Sequence, residues 1–433
     1  MQLPATHPFR ARLNIPLYLI DMILFGLAFS FLDSSTVMPS FVGELTHSQI
    51  LIGLSSVTFG LGWRLPQLLL APLVNRAPRK LPWMLNSSIP GRLAFIVVAI
   101  LIIVIGPSQS GILLFVFFGG YFVFAICDGI ATISWSELIG NAVPERTRGF
   151  MFSTAQIFTA LSVLVVQGAL RALLGPRGPG FPTNYAIVFA IAGGLLTISL
   201  PIVALLYESP VPTTTRISGL ADYLPYLRKV INQDAVFRRF LLLRSLLDAS
   251  ALAVPYYIGY EISQLNVPVT QAVSDSLIAV MIGNVIGSAL AGWIGGRFGS
   301  RVVIWMHIAA MATGPIAALL SGGLGRDLLL ISFAMIGLTG AANQSGLFNW
   351  VVSHAPIGER ATYNSISNTL GLVSLLVPTL IGGIVLQATS YPALFVVALG
   401  ISLIAAGVGA GLKRPGQTLL VVPAMANSEI PAA

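Results

Sequence analysis

Asp33, Arg64, Arg92 and Asp128 each interrupt one of the first four long apolar segments of the chain. An ionisable side chain inside such a segment is costly, so each is a functional candidate. Two acids and two bases sum to zero. They can be structural ion pairs, or a site that exchanges a proton or holds a solute. Both readings stay open. Small and polar residues accompany them at helical spacing: Gly26, Ser30 and Asp33; Gly60, Arg64 and Gln67; Ser88 and Arg92; Tyr121, Asp128 and Trp135. Such stripes line a close helix contact or a wet cavity, and their charged members favour the cavity. Further along, Asp248 follows Arg244 by one turn, then come Pro255, Tyr256 and Tyr257 and the amides Asn284, Asn343 and Gln344. Arg244 is expected near a membrane interface, paired with Asp248. The amides can bond helix to helix or face a cavity. Catalysis has weaker footing. His7, His47, His307 and His354 are scattered, no Ser/His/Asp grouping occurs, and Cys127 is the single cysteine. No enzyme, metal site or cofactor is expected.

The elements that must position these groups are membrane helices. Apolar residues make up 55% of the 433-residue chain and charged residues 9%, against about 25% charged in a soluble domain. Lipid is therefore the expected solvent. A span needs roughly 20 apolar residues, and its backbone must satisfy itself, which makes each span a helix. Twelve spans are expected, near 15–40, 50–74, 81–105, 112–137, 150–174 and 184–207, then 239–262, 273–296, 303–322, 327–352, 364–387 and 392–412. The net charge of +8 would suit a nucleic-acid binder. Its distribution argues otherwise. Of the 23 lysines and arginines, all but Arg64, Arg92, Arg171, Arg177 and Arg326 fall on the side of the N-terminus. That bias predicts a multi-pass plasma-membrane protein with both termini cytoplasmic, and no nucleic-acid partner.

The chain also repeats itself at half its length. A basic turn, Ala71 to Lys80 with Asn75, Arg76 and Arg79, returns 221 positions later as Gly292 to Arg301 with Gly296, Arg297 and Gly299. Pro144 and Arg148 return 212 positions later as Pro356 and Arg360. A repeat on this scale means a duplicated architecture. The two basic turns resemble the loops after the second and eighth spans of major facilitator superfamily transporters, where the pattern is Gly-x-x-x-Asp-Arg-x-Gly-Arg-Arg/Lys. The chain departs at the acidic position, filled by Asn75 and Gly296. The Pro-x-x-x-Arg turns are similar to the same family's pattern. They read as tight turns whose arginine faces a helix end or lipid headgroups.

The resemblance covers residues 15–412. It implies an all-α membrane protein of twelve transmembrane helices in two pseudo-symmetric six-helix bundles that alternate access by rocking. It places the first, fourth, seventh and tenth spans around the cavity, and with them Asp33, Asp128, Asp248, Asn343 and Gln344. It makes the basic loops, with Arg76, Arg79, Lys80, Arg297 and Arg301, cytoplasmic gates. The expected divisions are bundles at 1–207 and 239–414, a linker at 208–238 and a poorly ordered tail at 415–433. Leu220, Leu224, Leu227 and Ile231 give the linker helical spacing. Gly283-x-x-x-Gly287 reads as a packing face.

The expected function is secondary transport of a small solute by a monomer, coupled to protons through Asp33 and Asp128, with export as one direction. A uniporter is the rival reading, and a transporter-like receptor the more distant one. A mixed-charge half facing an aromatic, weakly charged half suits an amphiphilic or organic-ion solute.

Overall fold

The first expected span divides in two. In the computed structural model, which describes residues 8–34, 36–208 and 220–415, helix α1 (Pro8–Phe31) ends before Asp33. The Asp33 carboxylate accepts hydrogen bonds from the Thr36 amide and hydroxyl, both at 2.8 Å. This local bonding competes with helix continuation, and a separate short helix α2 (Val37–Leu45) follows. Asp33 therefore stands at a helix end and not at mid-depth.

The first bundle continues with α3 (Gln49–Arg76), α4 (Leu81–Ile105), α5 (Ser110–Ala142), α6 (Glu145–Leu174) and α7 (Thr183–Ala204). Helix α8 (Leu220–Gln233) lies in the linker, with Leu227 and Val230 buried in a core shared with the second bundle. Residues 209–219 and the expected tail beyond 415 lie outside the described residues.

The second bundle begins at Ala235, four residues before the expected boundary. Its seventh span is composite: α9 (Ala235–Ser250), a 3-10 turn at Ala251–Tyr256, and α10 (Tyr257–Ser263). Pro255 lies in the turn, where it removes one backbone donor. Then come α11 (Val269–Phe298) and α12 (Ser300–Leu324). The tenth span is composite too, with α13 (Asp327–Ala342), a π-helical turn at Asn343–Phe348 and α14 (Asn349–His354). Helices α15 (Arg360–Ala388) and α16 (Tyr391–Ala410) complete the set.

Among the described residues, ten helices or composite spans are long and apolar enough to cross a membrane. Helices α3 and α15, of 28 and 29 residues, make the twelve. Both face the other bundle, and both carry the polar residues that this position demands.

The packing repeats between halves. Helix α4 packs on α5 and α7, α3 on α5, and α1 on α6 and α7. In the second bundle α12 packs on α13 and α16, α11 on α13, and α9 on α15 and α16. Span for span, the two lists are the same. The contacts between bundles are paired in the same way, α6 with α11 and α3 with α15.

Small residues set the closest approach. A Cβ on Gly283 of α11 would lie 1.9 Å from the Ala334 carbonyl oxygen, and one on Gly337 of α13 would lie 2.0 Å from that of Val280. A Cβ on Gly287 would lie 2.7 Å from the Leu338 Cα. The Gly283-x-x-x-Gly287 face thus seats α11 on α13. Gly283→Leu should destabilise the detergent-solubilised protein by about 3 kcal/mol in thermal unfolding, since overpacking a tight contact has that cost. Gly296→Leu, at a site with no atom near its Cβ, should leave the midpoint almost unchanged.

Candidate functional site

A cavity of about 460 Å³ lies between the two bundles at mid-depth. The first bundle lines it with Asp21, Arg64, Arg92, Asp128 and Gln156, and the second with Arg244, Asn343, Gln344 and Asn368. Five of these nine side chains are ionisable. Their arrangement follows from which groups they can reach.

Arg92 and Asp21 form one buried pair. Arg92 Nη1 donates to Asp21 Oδ1 at 3.3 Å and to the Leu196 carbonyl at 3.4 Å, and also bonds the Ser199 hydroxyl. Both side chains are less than one-tenth exposed. The pair ties α1, α4 and α7 together. Asp128 of α5 lines the same wall. One turn further on, Thr132 accepts the indole N–H of Trp63 at 3.1 Å. Asp21, Asp128 and Arg92 together carry a formal charge of −1.

The opposite sign gathers where α3 meets the second bundle. Arg244 and Asp248 pair at 3.8 Å within α9. Arg64 comes from α3 and forms no salt bridge among the described residues. The Nε of Arg64 and the Nε of Arg244 are both buried without a hydrogen-bond acceptor. Arg64, Arg244 and Asp248 sum to +1.

A seal closes the space between this cavity and the face that carries the termini. Gln67 accepts a 2.8 Å hydrogen bond from Asn368, joining α3 to α15. Ser153 and Ser345 meet at 2.9 Å. Trp135 and Phe152 pack on Phe348 of the other bundle, with centroids 5.4 and 5.7 Å away. Beyond them the bundles exchange helix ends. Glu145 Oε1 accepts from the Ser300 amide at 2.9 Å and its hydroxyl at 2.6 Å, at the start of α12. Glu137 Oε1, fully buried on α5, accepts from the Ala361 amide at 3.1 Å, at the start of α15. An anion at a helix N-terminus meets unsatisfied N–H groups and the positive end of the dipole. Two guanidinium groups complete the exchange. Arg148, on α6, donates to Asn349 Oδ1 at 2.8 Å and to Ser353 of the other bundle, and to carbonyls at the end of α5 in its own bundle. Arg360 reaches back to Asn141 and to the Val352 carbonyl. The two arginines of the repeated Pro-x-x-x-Arg turn thus cross in opposite directions.

The expected residues separate into three groups. Arg64, Arg92, Asp128, Asn343 and Gln344 line the cavity. Others serve packing. Ser30 donates to the Gly26 carbonyl at 3.0 Å, Tyr121 is buried among Phe95 and Phe117, and Tyr256 lies against Gly382 and Gly383 of α15. Asn284 accepts from Ser288 at 3.4 Å at the α11–α13 contact. Asp248 is paired with Arg244 and outside the lining, whereas Arg244, expected near an interface, lines the cavity.

The gating loops form the third group. Asn75 and Arg76 end α3, and Arg76 and Arg79 are exposed. Lys80 is buried and donates to the Val74 and Ala77 carbonyls at 2.7 and 2.6 Å, closing the C-terminus of α3. Burial pushes its ammonium below the ordinary lysine range. Glu208 caps the next helix through the Lys80 and Leu81 amides. In the second copy Gly292 lies against Ser153, Arg297 stacks over Phe298 and Arg301 donates to the Ala410 carbonyl. The first basic turn therefore serves its own bundle, and Glu137, Glu145, Arg148 and Arg360 form the bridge.

Sequence reasoning missed Asp21, Glu137, Glu145 and Asn368. The signal for Asp21 was an acid inside an apolar run. Extending that run to residue 40 moved its midpoint toward Asp33; ending it at Phe31 places Asp21 in the middle.

The sequence matches the Major Facilitator Superfamily family description over residues 23–373 and 247–424. The chain belongs to the major facilitator superfamily, and the twelve-helix, two-bundle architecture is that family's. Solved structures agree on the fold. The E. coli fucose:proton symporter FucP, in its outward conformation, is similar with a TM-score of 0.71 at 16% identity, covering 93% of this chain and 99% of that one. The human organic anion transporter MFSD10 gives 0.68 at 15%, covering 94% and 100%. A bacterial homologue of the iron transporter ferroportin in its outward-facing state gives 0.69 at 15%, covering 92% and 98%. No curated protein sequence matches.

Breaking the bridge should open the seal. Ser345→Cys, in a Cys127→Ser background, reports on it through labelling by a membrane-impermeant maleimide added from the terminal face. Adding Glu145→Ala or Arg148→Ala should speed labelling about tenfold or more, the effect of losing a charge-assisted hydrogen bond. Unchanged rates in both would show that these contacts do not hold the bundles together.

Proposed function

We propose that this protein is a proton-coupled secondary transporter of a small solute, and that Asp21 and Asp128, rather than Asp33, are its proton-exchanging acids. The observation that carries this reading is the cluster of Asp21, Asp128 and Arg92 in the cavity wall. Two of its members, Asp21 and Arg92, are buried, and uncompensated charge beside them is expensive. One proton makes the cluster neutral. Protonation therefore changes the energy of exposing or enclosing the wall, which is what coupling requires. Asp33, tied to Thr36 beyond the end of α1, has no such position.

Alternating access is the family mechanism, and the seal supports one of its end states. The bundles are closed toward the terminal face by the Glu137, Glu145, Arg148 and Arg360 bridge. The basic residues collect on that same face, which supports its being cytoplasmic and the chain's lying in the plasma membrane. The captured state is thus the one closed to the cytoplasm. FucP, a proton symporter, and the ferroportin homologue share this fold in outward states. Both composite spans, the seventh and the tenth, are interrupted helices on the second bundle, and interrupted spans are a usual mark of a transport site.

Proteoliposomes test the proposal. A panel of labelled organic solutes is screened for accumulation driven by an imposed pH gradient, in both directions. For a solute that accumulates, Asp21→Asn or Asp128→Asn should abolish accumulation while sparing exchange down the solute's own gradient. Wild-type accumulation by both variants would sink the proton assignment.

A further inference from the structure

We propose that the cavity selects an organic anion, whose acidic group sits between Arg64 and Arg244 and whose apolar body lies on the aromatic wall beside them. The inference rests on the transport reading only in leaving the Asp21–Asp128 cluster to the proton.

Two observations point to the missing anion. The first is Arg64, which lines the cavity, forms no salt bridge among the described residues and has a buried Nε–H without an acceptor, whereas the Nε–H of Arg244 faces Asp248 at 3.8 Å. A buried donor left unpaired is costly, and guanidinium groups present planar forks that match a carboxylate or similar oxyanion. The second is the charge balance. Arg64 comes from the first bundle and Arg244 from the second, and both line the same cavity, so their like charges repel across it. Asp248 offsets one of these charges. A ligand of charge −1 offsets the other.

The body of the ligand is defined by what adjoins Arg64. Phe59 and Trp63 precede it on α3 and stack with centroids 6.4 Å apart. Phe29 meets Phe59 at 4.8 Å and Phe25 at 4.7 Å. All four rings line the cavity, forming one continuous apolar wall that ends at a cation. That wall suits an aryl or alkyl chain and offers few partners to a sugar-like solute. The cavity volume falls within the range of ordinary small-molecule pockets, about 300–1,000 Å³.

The same geometry gives the anion a role in transport. Arg64 and Arg244 repel across the interface between bundles. An anion between them turns repulsion into attraction on both sides. Loading the site therefore favours bringing the bundles together around it, while the empty cavity resists closure.

Calorimetric titration of the purified protein tests the proposal. The probes are 1-naphthoate, 1-naphthalenesulfonate and 1-naphthyl phosphate, with neutral 1-naphthamide and cationic 1-naphthylmethylammonium as shape controls. At least one anion should bind tenfold or more tightly than both controls. Arg64→Gln should weaken that anion by about 10- to 100-fold, the cost of losing a charge-assisted pair. Arg64→Lys, which keeps the charge without the fork, should recover part of the loss. If the glutamine variant does not elute as a folded species, the wild-type preference and the lysine variant carry the test. Three results would overturn the inference: no anionic probe binding at millimolar concentration, equal binding of amide or cation, or undiminished affinity in a folded Arg64→Gln protein. Flux assays separate it from the transport reading. Selective anion binding without pH-driven flux contradicts transport and leaves the anion site standing. Flux of a neutral or cationic solute, with no anion bound, does the reverse.

Discussion

A charge enclosed by helices in hydrocarbon must find a counter-charge, a dipole or water, and the ways this chain supplies them shape the whole molecule. Asp21 and Arg92 neutralise each other and in doing so pin three helices of the first bundle. Glu137, Glu145 and Glu208 use helix N-termini instead, while Lys80 uses a helix C-terminus. After these are settled, the cavity retains an acid excess on one wall and an arginine excess on another. The proposed proton and anion sites both draw on this residual imbalance.

The two kinds of neutralisation differ in what they hold. The Asp21–Arg92 pair is internal to one bundle, so it can persist while the bundles move. The carboxylates of Glu137 and Glu145 reach across to helices of the other bundle, so they must let go when the seal opens. Each release exposes a carboxylate and a helix end to water, which can replace the lost bonds at small net cost. A latch built from helix caps is thus reversible in a way that a fully buried ion pair is not. The substitution of Asn75 and Gly296 for the family's acids fits this view, since the bridging acids come from α5 and α6 instead.

Much of this architecture was legible in the residues. Composition and run length give the twelve helices, and the repeated basic turns give the duplication, because both depend on local patterns. The break at Pro255 was readable for the same reason. The contacts of the seal were not. Glu145 and Ser300 are separated by 155 residues, and Glu137 and Ala361 by 224, so no local spacing pairs them. Asp33 shows the other limit. Its carboxylate ends a helix through Thr36, a three-residue interaction that moved the midpoint of the first span to Asp21. The amides Asn343 and Gln344 were found as cavity groups, but the π-helical turn that begins with them was not foreseen.

The central claim is that the bundles exchange closure at one face for closure at the other. Paired distances by electron spin resonance address it directly, in a Cys127→Ser background. One label pair replaces exposed Arg146 and Ile357 on the terminal face, and another replaces exposed Ser108 and Leu324 on the opposite face. In liposomes, the account predicts two populations for each pair, with the terminal-face distance lengthening under the conditions of pH that shorten the other. Distances that stay single and fixed at both faces, or that change independently, would contradict it.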